Sequence, residues 1–323
     1  MKLEDNEELF VTCEEKFGFQ IDQIEPIDLG WLNRKWVLQT NLGQFVLKKY
    51  HVKRYKDAET LLTALSQQQR LFHAGVPCPV LLESEGTLLH TTDSGDRYIM
   101  MQYCQGDQVD PGTANISQMY ELGRVAGEMH RILNDGTLGP KNEPQFVMPE
   151  REQRLEHWDA VIEEAASQEK THLIPLIKQQ KSMAATLNLD ILRQHCRQGW
   201  GHRDLWMDNI LFGTDSVSAV LDFDRLHYDY PELDVARAIL SGVLYDDQLD
   251  VEKIAAFLRG YREIFDFPFG QLVHSIRLLW YLESKWWIRA EMDTYHRVPD
   301  RFASEMIWIA SHHEELDELL AEL

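Results

Sequence analysis

Apolar and polar positions alternate through most of the first hundred residues. Ile24 to Leu29, Lys35 to Thr40 and Gln44 to Tyr50 are rich in β-branched, aromatic and apolar residues, which predicts strands, and Asn41-Leu42-Gly43 between the last two reads as a hairpin turn. The period then lengthens. From about Asp57 to Ala74, Leu61, Leu65 and Phe72 recur at helical spacing, and Gly75-Val76-Pro77 stops the helix. Val80 to Leu82 and Tyr98 to Tyr103 read as two more strands, completing a small sheet that carries one helix. Gln105-Gly106-Asp107 breaks the pattern and predicts a boundary between a lobe of residues 1–104 and a second of residues 105–323.

Beyond that boundary helical periods prevail. Met119, Leu122, Val125 or Ala126, Met129 and Ile132 line one face of a helix that Asn115 can cap, with Gln118 three residues on completing a capping box. Asn134-Asp135-Gly136 ends it. Charged, helix-prone segments fill 150–197, two short apolar runs occupy Ile210 to Phe212 and Ser218 to Leu221, and helical patterns resume near Glu232. No tandem repeat or low-complexity tract interrupts them.

Composition narrows the function classes. The 323 residues are 44% hydrophobic and 26% charged, ordinary for a folded protein, and no apolar run approaches the ~18 residues that span a bilayer. The net charge of −21 excludes a long-range attraction to nucleic acid or an anionic membrane, and −17 of it falls in residues 105–323, where a cationic ligand would be drawn. Four cysteines (Cys13, Cys78, Cys104, Cys196) stand far apart without a Cys-x-x-Cys pair, so neither a zinc site nor a disulfide framework is expected. The acidic N-terminus lacks the basic start and apolar stretch of a secretory signal, and a cytoplasmic location is expected.

Candidate chemistry concentrates in Gly201-His202-Arg203-Asp204-Leu205-Trp206-Met207-Asp208-Asn209-Ile210-Leu211-Phe212 and, ten residues later, Leu221-Asp222-Phe223-Asp224. A carboxylate, an amide five residues on, and a second carboxylate after a short hairpin suit phosphoryl transfer from a nucleotide. One acid orients the attacking hydroxyl. The amide and the second acid supply the hard oxygen donors that Mg²⁺ prefers. At these residues the chain resembles the aminoglycoside phosphotransferase and choline kinase-like family, small-molecule kinases with the bilobal protein kinase fold, and the resemblance covers nearly the whole chain.

The resemblance implies an α+β protein with a small antiparallel-sheet N-lobe carrying one helix and a larger, mainly helical C-lobe. It further implies Asp204 as catalytic base, Asn209 and Asp222 as Mg²⁺ ligands, His202 as a scaffold residue, Asp224 as a further acid near the metal, and ATP as donor. Arg203 replaces the glycine usual in the family, as in the His-Arg-Asp of protein kinases. Trp206 replaces the usual histidine, as in fructosamine kinase-like members, and cannot supply the charge of the lysine that protein kinases carry there. Strand alternation puts Lys48 and Lys49 on opposite faces, and the family's hydrophobic-Leu-Lys pattern selects Lys48 to grip the nucleotide phosphates. Its helix partner is undefined: Glu59 lies off the apolar face, and Gln68 bears no charge. Gly30 and Asn33 match the family's looser nucleotide-covering loop. No G-x-G-x-x-G occurs there, and no G-x(4)-G-K-[ST] occurs in the sequence, so a Rossmann or Walker-type phosphate site is not expected. Met101 to Cys104 would form the interlobe hinge, with Gln102 and Cys104 meeting adenine through the backbone, and Asp234 would brace the catalytic loop.

Only about ten residues separate Asp222 from the helix near Glu232, too few for the long segment that holds a peptide in protein kinases, so a small-molecule hydroxyl is the expected acceptor. Trp158, Trp280, Tyr281, Trp286 and Trp287 could present aromatic faces to a cationic amine, although at helical spacing such residues also suit a core. Tyr230 to Ala236 is as similar to homoserine kinase type II and spore-coat-associated kinase-like proteins as to antibiotic-modifying enzymes. Two rivals remain on the sequence alone: a nucleotide-binding pseudokinase, favoured by the missing helix acid, and a protein serine kinase.

Overall fold

The structure, a computed structural model, describes residues 6–27, 33–51, 55, 57–296, 298–320 and 322–323. The chain forms two compact units, one of Met1–Asp107, Ile210–Gly213 and Val217–Arg225, the other of Gln108–Asn209, Thr214–Ser216 and Leu226–Leu323. Among the described residues, no helix is long and apolar enough to cross a membrane.

In the first unit, α1 (Glu7–Phe17) precedes β1 (Ile21–Ile27), β2 (Arg34–Thr40) and β3 (Gly43–Lys49); α2 (Ala58–His73), β4 (His90–Thr91) and β5 (Arg97–Gln102) follow. The strands form one antiparallel sheet in the order β1-β2-β3-β5-β4. Helix α1 is not anticipated from the strand-like reading of this region. It buries Leu9, Phe10 and Cys13, with the Phe10 ring edge-on to Trp36 at 5.5 Å, and Gly18 ends it in the left-handed conformation at φ 70°. Val80 to Leu82, expected as a strand, contributes a single bridge, Leu81 to Met101. Its backbone bonds to β5 are the Leu82 N–H to Met100 O at 2.8 Å and the Gln102 N–H to Val80 O at 3.0 Å, while the N–H and carbonyl of Leu81, which face away from β5, meet the Gln69 side chain of α2 at 3.0 and 3.5 Å.

The short apolar runs become β7 (Ile210–Phe212) and β8 (Val217–Val220), after β6 (Gly199–Gly201). This β7–β8 hairpin is joined to the first unit by backbone bonds. Asp107 and Phe212 exchange both N–H···O bonds at 2.8 and 2.9 Å, and Val220 donates to Pro77 at 2.8 Å.

The second unit is helical around short β6, which pairs antiparallel with β9 (His227–Asp229). Helix α3 (Ile116–Leu133) starts with the Asn115–Gln118 capping box, both reciprocal bonds present. The chain continues through α4 (Arg151–Ser167), α5 (Ile174–Thr186), α6 (Leu189–His195), α7 (Glu232–Val243), α8 (Val251–Arg262), α9 (Gln271–Trp287), α10 (Val298–His312) and α11 (Leu316–Leu320). Helices α3 and α8 cross so closely that a Cβ at Gly123 would lie 2.1 Å from the Phe257 carbonyl, and one at Gly260 would lie 2.2 Å from that of Tyr120. Only hydrogen fits at either position. The crossing sets the depth at which His130 of α3 reaches the loop after β6.

Candidate active site

Two polar clusters occur at the residues singled out by sequence, one in each unit. In the first unit, cross-strand pairing sets Lys35 of β2 directly opposite Lys48 of β3, a like-charge pair that would repel on its own. Asp222, just after β8, resolves the conflict by accepting from both ammonium groups, with Lys35 Nζ at 3.1 Å. Lys48 is 2% exposed and also pairs with Asp224. Lys49 leaves the opposite face of the strand to pair with Asp96. Burial works against ionisation of Asp222, but Lys48 and Lys35 outweigh it and hold the carboxyl far below the usual carboxylate range. Asp222 also has a φ of 67°, left-handed backbone that a non-glycine residue adopts only where its surroundings impose it.

Asp224 sits deeper, its side chain 3% exposed. Tyr50 donates to Oδ1 at 2.9 Å, while Asn33 Nδ2 and the Tyr55 hydroxyl approach Oδ2 at 3.1 and 3.3 Å. Asn33 is held in turn by the His51 N–H at 3.1 Å. Burial and the neighbouring carboxylate push the Tyr50 phenol well above its ordinary value, and burial with Asp224 pushes Tyr55 up to about 12, so both remain O–H donors. Gly30 lies outside the described residues. At the expected hinge the Gln102 N–H donates to Val80 O at 3.0 Å and the Tyr103 N–H to Gln44 O at 3.2 Å; Cys104 is half-buried, its thiol raised by burial.

In the second unit, the loop after β6 is built around Asp234, the third residue of α7 and fully buried. Its carboxylate accepts from the backbone N–H groups of His202 at 2.5 Å and Arg203 at 2.8 Å. Tyr261 of α8 donates to His130 Nδ1 at 2.7 Å, and His130 Nε2 donates to Asp234 at 3.1 Å, a chain of bonds from α8 through α3 to the loop. Burial raises the carboxyl, but His130 and Arg237 overcome it, and Asp234 is held down at about 2. Gly201 is required beside it, because a Cβ there would lie 2.7 Å from Asp234 Oδ2.

The same loop orients Asp204. His202, fully buried, accepts from the Asp204 N–H through Nδ1 at 3.2 Å. Asn209 Nδ2 donates to the Asp204 carbonyl at 2.8 Å and to its Oδ2 at 3.1 Å, leaving the Asn209 amide oxygen as a hard donor. Arg203, at φ 68°, does not point to solvent. It is 3% exposed, pairs with Asp229 at 2.7 Å and Glu283 at 3.7 Å, and lies over the Phe146 ring at 4.8 Å. Trp206 is likewise interior, with its ring centroid 3.9 Å from Phe302 and the Arg237 and Arg301 guanidinium groups 5.6 and 5.8 Å from it. Both departures from the usual family pattern are therefore parts of a buried charged network.

A family model described as the phosphotransferase enzyme family matches residues 23–272. The chain belongs to that family. A homoserine kinase of Rhodopseudomonas palustris (strain BisA53) is 30% identical over 239 residues, which is 72% of this chain and 67% of the relative. Among solved structures, an aminoglycoside phosphotransferase from Alicyclobacillus acidocaldarius superposes with a TM-score of 0.66 at 13% identity, covering 93% of this chain and 91% of that one. A spectinomycin phosphotransferase in complex with ADP and spectinomycin superposes with a TM-score of 0.60 at 14% identity, covering 95% and 93%. This phosphotransferase has the α+β kinase-like fold that the sequence resemblance implies, and it is an enzyme of small-molecule phosphoryl transfer.

The donor chemistry of its acidic residues suits magnesium. The ion binds through one or two carboxylates plus substrate phosphates and retains water, so it needs no all-protein cage. Asp222 in the first unit and the Asn209 amide oxygen in the second are each hard oxygen donors, and no group of three or more His, Cys, Asp or Glu forms a self-sufficient metal site among the described residues. Sequence reasoning missed Lys35, Tyr50 and Tyr55, which join the cluster only through strand pairing and the return of the β7–β8 hairpin. Of the aromatic residues considered for an acceptor wall, Trp158, Trp280 and Tyr281 are fully enclosed, with Trp280 Nε1 donating to Gln180 at 2.6 Å; they belong to the core. Trp286 and Trp287 are half-buried.

Proposed function

We propose that this phosphotransferase moves the γ-phosphoryl group of ATP, with Mg²⁺, to the hydroxyl of a small molecule, with Asp204 as the base. The observation that carries the reading is the bracing of Asp204: Asn209 holds both its carbonyl and its carboxylate, on a loop whose backbone is tied to Asp234. A carboxylate fixed in this way is prepared to accept a hydroxyl proton and to aim the oxygen at phosphorus. Lys48, held permanently charged by two carboxylates, has the character of a phosphate clamp. Asp222 and Asn209 would hold Mg²⁺, whose chemistry is to neutralise phosphate oxygens as charge shifts to the leaving group. Lys35 gives the same cluster a second cation, one-fifth exposed and able to exchange Asp222 for a nucleotide oxygen.

The acceptor proposed first is homoserine or a comparably small amino alcohol. Further homoserine kinases match this chain at 23 to 28% identity, which favours that class over large antibiotics. ADP release measured over a panel of small alcohols headed by homoserine tests the reading. Asp204→Asn should lower turnover by roughly 10²–10⁴-fold while sparing nucleotide binding. Unaltered turnover removes the base. Asp222→Ala should weaken Mg²⁺-dependent nucleotide binding in titration calorimetry. Nucleotide binding with no turnover on any acceptor would support a pseudokinase instead.

A further inference from the structure

Lys48 is buried and needs an acidic partner, and α2 does not provide one. The only acid of α2 is Glu59, exposed in the first turn. The buried polar residue of α2, Gln68, is committed elsewhere, donating to the Pro79 carbonyl at 2.7 Å. Asp222 pairs with Lys48 but is 21% exposed, is shared with Lys35, and in the reading above must turn toward the metal. Asp224 differs on each count. It is 3% exposed, and donors from three separate places in the chain, Asn33, Tyr50 and Tyr55, fix its two oxygens around the contact with Lys48. The Tyr50 ring also lies 5.5 Å from the ammonium it helps to place.

We propose that Asp224, clamped by Tyr50, Tyr55 and Asn33, is the positioning residue for Lys48, so that the phosphate-gripping lysine is anchored from the β7–β8 hairpin and not from α2. The anchor then stands two residues from Asp222 in the chain, and the lysine and the first carboxylate keep a fixed relation whatever α2 does. The inference rests on the reading of Lys48 as the nucleotide clamp.

Steady-state kinetics of the full chain test it, with melting curves confirming that each variant is folded. Asp224→Asn, at saturating Mg²⁺, should raise the KM for ATP and lower kcat/KM for ATP by about 10²-fold, the loss expected when a reacting contact is misplaced by about 1 Å. Asp224→Glu should recover part of that loss. Tyr50→Phe and Tyr55→Phe should each cost about two- to tenfold, the value of one hydrogen bond. Because the tyrosines act through Asp224, adding Tyr50→Phe to Asp224→Asn should cost no more than about a further twofold. Glu59→Ala and Gln68→Ala should leave the KM for ATP unchanged. The inference is overturned if Glu59→Ala or Gln68→Ala matches the effect of Asp224→Asn, or if the tyrosine effects are fully additive with it. It is also overturned if Asp224→Asn raises only the Mg²⁺ requirement, which would make Asp224 a metal ligand. Lys48→Ala separates the two levels: a large loss there beside an unaffected Asp224→Asn overturns this inference alone, whereas no loss at Lys48→Ala removes the reading of the site as well.

Discussion

Replacing Asp234 by asparagine removes the charge that ties together the β6 loop, α3 and α7. The native carboxylate accepts from two backbone N–H groups, from His130 and, at 3.5 Å, from Arg237, all without solvent contact. An amide retains one acceptor oxygen and turns an N–H₂ toward the remaining donors, while Arg237 loses a buried carboxylate partner and keeps Glu283. Breaking a buried charged arrangement of this kind costs about 3–5 kcal/mol. The second unit has roughly 200 residues, so with an unfolding entropy of about 2.1 cal/mol/K per residue the cost corresponds to a fall in melting temperature of roughly 7–12 °C. Scanning calorimetry of the wild type and Asp234→Asn at pH 7 measures it. Because His202 and Arg203 lose their backbone anchor, turnover at 20 °C, well below either transition, should also fall by at least about tenfold through misplacement of Asp204. A variant that melts within a degree of the wild type and turns over normally would refute the bracing role and the use of buried hydrogen bonds to infer it.

The remaining expectations concern neighbouring positions. Gly201→Ala should force Asp234 out of its bonds, costing about 1–3 kcal/mol of stability, and its effect should be less than additive with Asp234→Asn in a double-mutant cycle of melting temperatures. Glu305 is 3% exposed, and burial, reinforced by Asp208 and opposed by Arg301, pushes its carboxyl up to about 8. Its folded value lies above its unfolded one, so the folded state holds the proton longer and stability declines as pH rises from about 4.5 to about 8. Glu305→Gln should therefore melt higher than the wild type at pH 8 and equally at pH 5, by differential scanning fluorimetry; an unchanged difference across that range would refute the assignment.

Local signals were the ones legible in the sequence. The Asn115–Gln118 capping box and the hairpin at Asn41-Leu42-Gly43 depend on residues within a few positions of one another, and both form. Helix α1 escaped because its apolar residues make only one short stripe. The Val80 to Leu82 run had strand character but forms a single bridge, and the outward-facing backbone groups of Leu81 are held by Gln69 from another element. Within the site, Asp204, Asn209 and Asp222 stand out through spacing, whereas their supports do not. Arg203 meets Asp229 and Glu283, which lie 26 and 80 positions away, and Asp224 meets Tyr50 across 174. Such partners share no period or motif and become visible only when the chain is folded.

The assignment of Ile210–Gly213 and Val217–Arg225 to the first unit bears on how this enzyme can be taken apart. A fragment ending at Asp107 would strip Asp107 and Pro77 of their backbone partners Phe212 and Val220 and leave Lys35 and Lys48 facing each other without Asp222 and Asp224. The first unit is therefore a discontinuous stretch of the chain, and a fragment meant to keep its backbone pairing and its Lys35–Lys48–Asp222 cluster would have to carry the β7–β8 hairpin as well.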